Sequence, residues 1–217
     1  MIERDKSLPE NSVSNNNVTL EKAKAYERKR FTEYRRMRKL DKFEKKFAVR
    51  LFEMVGKDSA ILDIPCGNGR FYEVFSGVRE LVLADYSENM LTATEERIGS
   101  VGNVRLIQAD ISSIPLSDNS MDLCFCMRLF HHMKNEDIRV AALKDLARVS
   151  RKYVAFSFYD KKCLRYFWRK CLGKKIRGNY TTIEDFVKLA KPFGLKLVSS
   201  FRCDFIEQQT LVLFEKL

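Results

Sequence analysis

The chain has 217 residues, enough for one substantial domain with a real core. Its 40 Lys/Arg against 29 Asp/Glu leave a net charge of +11, which points to an anionic partner: a phosphate-bearing small molecule, nucleic acid or acidic lipid. No apolar run approaches the roughly 20 residues of a membrane-crossing helix, and the polar start of the chain has no secretory pattern.

Residues 1 to 18 are rich in Asn and Ser and are expected to be a mobile polar tail. The rest, 19–217, reads as one domain. Residues 20 to 55 form two helices, with Thr19 as a cap. Ala23, Tyr26, Arg30, Tyr34 and Met37 share one face; Phe43, Phe47, Leu51, Met54 and Val55 share another. From residue 60 strands and helices alternate: strand 60–65, helix 69–76, strand 80–85, helix 88–98, strands 104–108 and 121–127, helix 136–148, strand 152–158. Apolar strands alternating with helices predict a parallel sheet covered on both faces. Asn135 is placed to cap the 136–148 helix, and Thr181 or Thr182 the helix that ends before Pro192. Leu195–Cys203 and Thr210–Glu215 then pair as an antiparallel hairpin.

The positive charge is uneven. Glu21–Gly56 carries thirteen Lys/Arg against six acids, and Lys161–Arg177 carries eight with no acid. In the insertion 161–193, Leu164, Phe167, Trp168, Cys171 and Leu172 fall on one helical face and Arg165, Arg169, Lys170, Lys174 and Lys175 largely on the other. Such a helix can lie on an anionic membrane, or roof a site with its apolar stripe inward. The roof is preferred. The six cysteines form no Cys-x-x-Cys and there are two histidines, which suggests reduced thiols in a cytoplasmic protein and no metal site.

The most informative stretch is Ile61-Leu62-Asp63-Ile64-Pro65-Cys66-Gly67-Asn68-Gly69-Arg70, a strand, a tight loop and a helix start. Two more apolar runs end at acids, Asp85 and Asp110. A nicotinamide-dinucleotide site needs Gly-x-Gly-x-x-Gly; this chain offers Pro65, Gly67 and Arg70 in that frame. The blander reading is a plain strand–turn–helix with Asp85 and Asp110 as turn aspartates.

Asp63 to Gly69, Asp85, Asp110 and Met121-Asp122-Leu123-Cys124-Phe125-Cys126 resemble the successive motifs of class I S-adenosylmethionine-dependent methyltransferases, nearest to the methyltransferase domain 11 type. The resemblance covers roughly residues 55 to 160, and the last twenty residues less closely. It departs at Pro65 and Arg70, where the family more often has glycine and a small residue. It implies a Rossmann-like, doubly wound, mostly parallel sheet with a C-terminal antiparallel hairpin and N-terminal helices.

It also implies roles. The loop Pro65, Cys66, Gly67 and Gly69 would face the methionyl part of S-adenosylmethionine, with Asp63 drawing its ammonium group. Asp85 would accept from the ribose, with Tyr86 and Met90 packing nearby. Asp110 and Ile111 would hold the adenine, and Met127 would lie near the sulfonium. Tyr26, Arg30 and Phe31 would belong to a lid. His131 and His132, after the strand ending at Met127, are candidates for a general base, with Arg128 and Tyr159 as contacts for an anionic acceptor. The expected activity is methyl transfer to a small-molecule or lipid-like acceptor, with peripheral contact to an anionic membrane. The alternatives are an RNA methyltransferase and a non-catalytic S-adenosylmethionine-binding protein.

Overall fold

The computed structural model describes residues 2–3, 18–27, 34–176, 178–204 and 206–217, without the side chains of Tyr26 and Glu27. Of the expected lid, Arg30, Phe31 and the Tyr26 side chain lie outside the described residues.

One sheet organises the chain. Its strands are β1 (Ile2–Glu3), β2 (Ala60–Asp63), β3 (Glu80–Asp85), β4 (Val104–Gln108), β5 (Met121–Cys126), β6 (Ser150–Asp160), β7 (Tyr180–Thr181), β8 (Leu195–Arg202) and β9 (Gln209–Lys216). The spatial order is β1-β4-β3-β2-β5-β6-β9-β8, with β7 beside the end of β6. The pairs from β1 to β6 are parallel; β6–β9 and β9–β8 are antiparallel. The chain steps outward from β2 to β4, then returns to lay β5 against the other side of β2. That reversal opens a crevice at the carboxyl ends of the strands, where open α/β sheets bind ligands.

The helices are α1 (Leu20–Glu27), α2 (Arg35–Val55), α3 (Tyr72–Phe75), α4 (Glu88–Ile98), α5 (Glu136–Val149), α6 (Leu164–Cys171) and α7 (Ile183–Ala190). Side chains alternate across the sheet and fill two cores. Ile61, Leu81, Leu83, Leu123 and Phe125 pack with Phe47, Ala48 and Leu51 of α2 and with Phe71 and Phe75. Leu62, Val82, Cys124 and Phe156 pack with Leu143 and Leu146 of α5 and Phe186 of α7. Asn135 Oδ1 accepts from the Asp137 N–H at 3.1 Å, and Thr182 forms a reciprocal capping box with Asp185.

Four local expectations change. The helix expected from residue 69 is only Tyr72–Phe75, because Gly69 sits at φ +75 and turns the chain first. Such a short helix offers no end for a ligand, so the loop backbone takes over that role. Within the expected mobile tail, Ile2 and Glu3 pair with Leu106 and Ile107. The inward stripe of α2 is Leu40, Glu44, Phe47, Ala48 and Leu51, whereas Met54 is exposed. The apolar face of α6 points outward, not inward as a roof: Leu164, Phe167, Trp168 and Leu172 are 43–66% exposed.

Candidate active site

The loop after β2 is pinned from both sides. The Ile64 N–H donates to Phe125 O at 2.9 Å and the Cys66 N–H to Ala84 O at 2.8 Å, so the loop bridges the ends of β3 and β5. Gly67 and Gly69 both have positive φ, 58° and 75°. A Cβ on Gly69 would stand 2.9 Å from Thr94 Cγ2, so α4 requires glycine there. A Cβ on Gly67 would meet nothing within 4 Å; it would occupy open space where bare backbone lines the cleft.

That cleft has a volume of about 640 Å³, within the usual range for small-molecule sites. Its wall takes residues from the ends of four parallel strands: Pro65, Cys66 and Gly67; Asp85, Tyr86 and Met90; Asp110 and Ile111; and Met127. Nine sequence-predicted residues are thereby brought together. Gly69 and Asp63 lie outside the wall. Asp63 is fully buried and neither of its carboxylate oxygens has a hydrogen-bond partner among the described residues. Burial, and secondarily the charge of Asp85, push its carboxyl well above the usual carboxylate range, against the opposing pull of Arg70.

Asp85 has a double duty. Its Oδ2 accepts from the Gly67 N–H at 2.9 Å and its Oδ1 from the Ser87 N–H at 2.8 Å, so it shapes the loop as well as facing the cleft. Burial pushes its carboxyl up to about 6, against the lowering effect of those backbone donors. Each oxygen keeps a second lone pair for a ligand hydroxyl. Asp110 does hold a turn, as the blander reading had it. Its Oδ1 accepts from the Ser112 N–H at 2.8 Å and the Ser112 hydroxyl at 2.6 Å, while the residue still lines the cleft. Burial, then the charges of Asp85 and Asp63, raise the Cys66 thiol well above its ordinary value, so it stays protonated and is no nucleophile.

The histidine pair divides. His132 lines the cleft; His131 is buried and stacks on Tyr159 at 3.9 Å, with its carbonyl accepting from the Asn179 N–H at 2.8 Å. Tyr159 is thus part of this packing and not of the cleft wall. Arg128 does reach the wall, at φ +60, but its Nε donates to both Glu44 oxygens, at 2.8 and 3.0 Å. Lys134 is the exposed cation at the rim, with no ion-pair partner among the described residues.

Glu44 was not expected. It is fully buried in the inward stripe of α2, where it binds Arg70 at 2.6 Å, Arg128 and Gln209 Nε2. Burial is the largest single influence on its carboxyl and opposes ionisation. The charges and hydrogen bonds of Arg70 and Arg128 together outweigh it and hold the group below the usual range. Arg70 therefore does not crowd the loop; it turns away to Glu44 and Asp41 and lies 4.1 Å from the Phe71 ring centroid. The available signal was an acid inside an apolar helical stripe, together with an arginine where the loop wants a small residue.

Comparison with known proteins agrees with this geometry. Residues 61–152 match the family model of the methyltransferase domain. That segment, less than half of the chain, is similar to a methyltransferase domain and holds the cleft loop and strands β2 to β5. It is 33% identical over 112 residues to a ubiquinone/menaquinone biosynthesis C-methyltransferase of Pseudomonas fluorescens, covering 48% of this chain and 42% of that protein. It is 30% identical over 96 residues to the tRNA (carboxymethyluridine(34)-5-O)-methyltransferase of Xenopus tropicalis, covering 44% of this chain and 14% of that one. The chain thus spans less than half the length of these curated relatives. Among solved structures, the magnesium protoporphyrin IX methyltransferase of Synechocystis superposes with a TM-score of 0.68 at 15% identity, covering 83% of this chain and 84% of that one. The N-methyltransferase NodS of Bradyrhizobium japonicum, in complex with S-adenosylhomocysteine, gives 0.68 at 16% identity, covering 94% and 99%. At such identities the likeness is one of fold.

Proposed function

We propose that this domain binds S-adenosylmethionine in the 640 Å³ cleft and methylates a small-molecule or lipid-like acceptor of anionic character. The observation that carries the reading is the convergence of Gly67, Asp85 and Asp110 in one wall with His132 and Lys134 beside them. The residues fit the donor's chemistry. Bare Gly67 backbone accommodates the methionyl chain, and an ammonium behind the loop would favour ionisation of the Asp63 carboxyl, which burial otherwise opposes and which takes no hydrogen bond among the described residues. The carboxylate of Asp85 suits the ribose hydroxyls, and Tyr86, Met90 and Ile111 supply apolar surface for the nucleoside.

The bound donor supplies a methyl group on a sulfonium that leaves as a neutral thioether. The acceptor's electron pair forms the new bond to carbon as the sulfur–carbon pair returns to sulfur, and the acceptor gives up a proton. The protein's part is to align the nucleophile and keep water out. Ile64, Met127 and Leu129 provide the apolar wall for that. His132 is placed to take the proton from a hydroxyl or ammonium acceptor, and Lys134 to hold its anionic group. Relatives that act on quinones and on tRNA leave two acceptor classes, and the apolar wall favours the small, lipid-like one.

Incubation with methyl-labelled S-adenosylmethionine and separate lipid, metabolite and RNA fractions tests the reading. Label is expected in an acidic lipid or small-molecule fraction. Label in RNA alone would select the nucleic-acid alternative. Donor binding without transfer to any fraction would favour a non-catalytic binding protein.

A further inference from the structure

We infer that α6 is a docking face for an anionic lipid bilayer. The helix is amphipathic but inverted. Tyr166 faces the protein, 4.7 Å from the Tyr180 ring; Arg165 binds Glu207 at 3.2 Å; and Arg169 caps the following turn through Lys175 O. No residue of α6 is buried. Leu164, Phe167, Trp168 and Leu172 stand 43, 60, 54 and 66% exposed on the outer side. A cluster of large exposed side chains of this kind marks an interaction surface.

Charge chooses the partner. Residues 161–177 hold eight Lys/Arg and no acid. Arg165 and Arg169 are engaged inward, while Lys170, Lys174 and Lys175 are exposed and have no ion-pair partner among the described residues. Aromatic and leucine side chains flanked by lysines match an acidic interface: apolar groups enter the acyl boundary and ammonium groups stay with the headgroups. The helix is linked to the cleft through packed rings, although none of its residues lines it. Ring contacts lead from His132 to His131 at 4.1 Å, to Tyr159 at 3.9 Å, to Tyr180 at 5.5 Å and to Tyr166 on α6. A docked α6 would hold the acceptor side of the cleft beside the membrane. This deepens the lipid-like acceptor reading, yet it is measured without turnover, so vesicle binding and methyl transfer fail separately.

Trp168 is the sole tryptophan of the chain, so its emission reports this helix alone. The full chain is titrated with vesicles of phosphatidylcholine, with and without phosphatidylglycerol, and followed by emission and co-sedimentation. A blue shift and sedimentation are expected only with the anionic vesicles, weakening with salt as screening shortens to about 8 Å near physiological ionic strength. Lys170→Gln/Lys174→Gln should lower partitioning roughly 25-fold, about fivefold per charge. Phe167→Ser/Leu172→Ser should abolish the shift while melting and S-adenosylhomocysteine affinity stay those of the wild type. The proposal is overturned by no response to anionic vesicles, or by equal binding to neutral ones. A response to RNA but not to vesicles also overturns it, as does a lipid-free shift accompanied by dimerisation.

Discussion

At Asp85 one carboxylate serves the loop and the expected ribose site; both uses favour the ionised form, and burial opposes it. Its folded-state pKa, raised to about 6 by burial, favours the protonated form. Its contribution to stability is therefore full below the unfolded carboxylate range and lost as pH rises through 6. Donor binding uses the ionised form and gains over the same interval. Calorimetry with S-adenosylhomocysteine on either side of pH 6 should show tighter binding on the alkaline side. Asp85→Asn should flatten that profile and weaken binding by about 1.5–3 kcal/mol, one charge-assisted hydrogen bond. Unchanged affinity in a folded variant would leave Asp85 to the loop alone. For the histidines, His132→Gln should lower turnover by about 10²–10⁴-fold with donor affinity intact. His131→Gln should instead reduce melting temperature, because it disrupts the stack on Tyr159. Turnover within a few fold of wild type for both would leave the chemistry to positioning. Asp85, Gly67 and Met127 were legible because each closes an apolar run. The division between His131 and His132 was not, since the two rings sit side by side in a 3₁₀ turn and only their neighbours decide which is buried.

Among the elements, α2 is seated on the cleft by a buried ion cluster. Glu44 meets Arg70 of the loop, Arg128 after β5 and Gln209 of β9, so a single side chain ties the helix to three segments. Glu44→Gln leaves Arg70 with Asp41 as its remaining counter-charge and takes the Glu44 charge from the largely buried Arg128, and is expected to cost about 3–5 kcal/mol at neutral pH. The wild-type carboxyl is held below the usual range, so its contribution is present above that range and lost as pH falls through it. Chemical denaturation should then show the gap between wild type and variant narrowing in acid; a gap constant with pH would mean the loss is one of packing. Strands β2, β3 and β5 were legible element by element because burial on both faces makes them largely apolar, and β4 because its apolar core leads into Asp110. Helix direction is harder to read. The periodicity of α6 defines a stripe, but only Tyr166 against Tyr180 and Arg165 against Glu207 show that the opposite face is the one turned inward.

On the scale of the whole molecule, parallel strands and a terminal antiparallel pair follow from the strand and helix patterns, and so were legible; the reversal at β2 came only with the family resemblance. The aromatic cluster joining the turn at Phe130, α7 and the sheet was not, because its members come from four separate segments. Phe156 lies 4.5 Å from Phe130, 4.9 Å from Phe186 and 5.5 Å from Phe214. Phe156→Ala should cost about 3–5 kcal/mol, measured by denaturant melts. A loss below about 1 kcal/mol would mean the neighbours close the cavity.

The place of β9 has a consequence in time. The strand lies between β6 and β8 and is buried from Gln209 to Phe214, so β8 has no route into the sheet until the segment after it arrives. Gln209 also completes the partners of Glu44. The loop that lines the cleft is thus braced by a strand that joins after much of the sheet can already have formed. Pairings of this kind, distant along the chain, close slowly. In a refolding experiment, secondary structure should recover first and the capacity to bind S-adenosylhomocysteine should trail it. That order would mean that the cleft takes its final form last, through Gln209 and Glu44, which lie outside its wall.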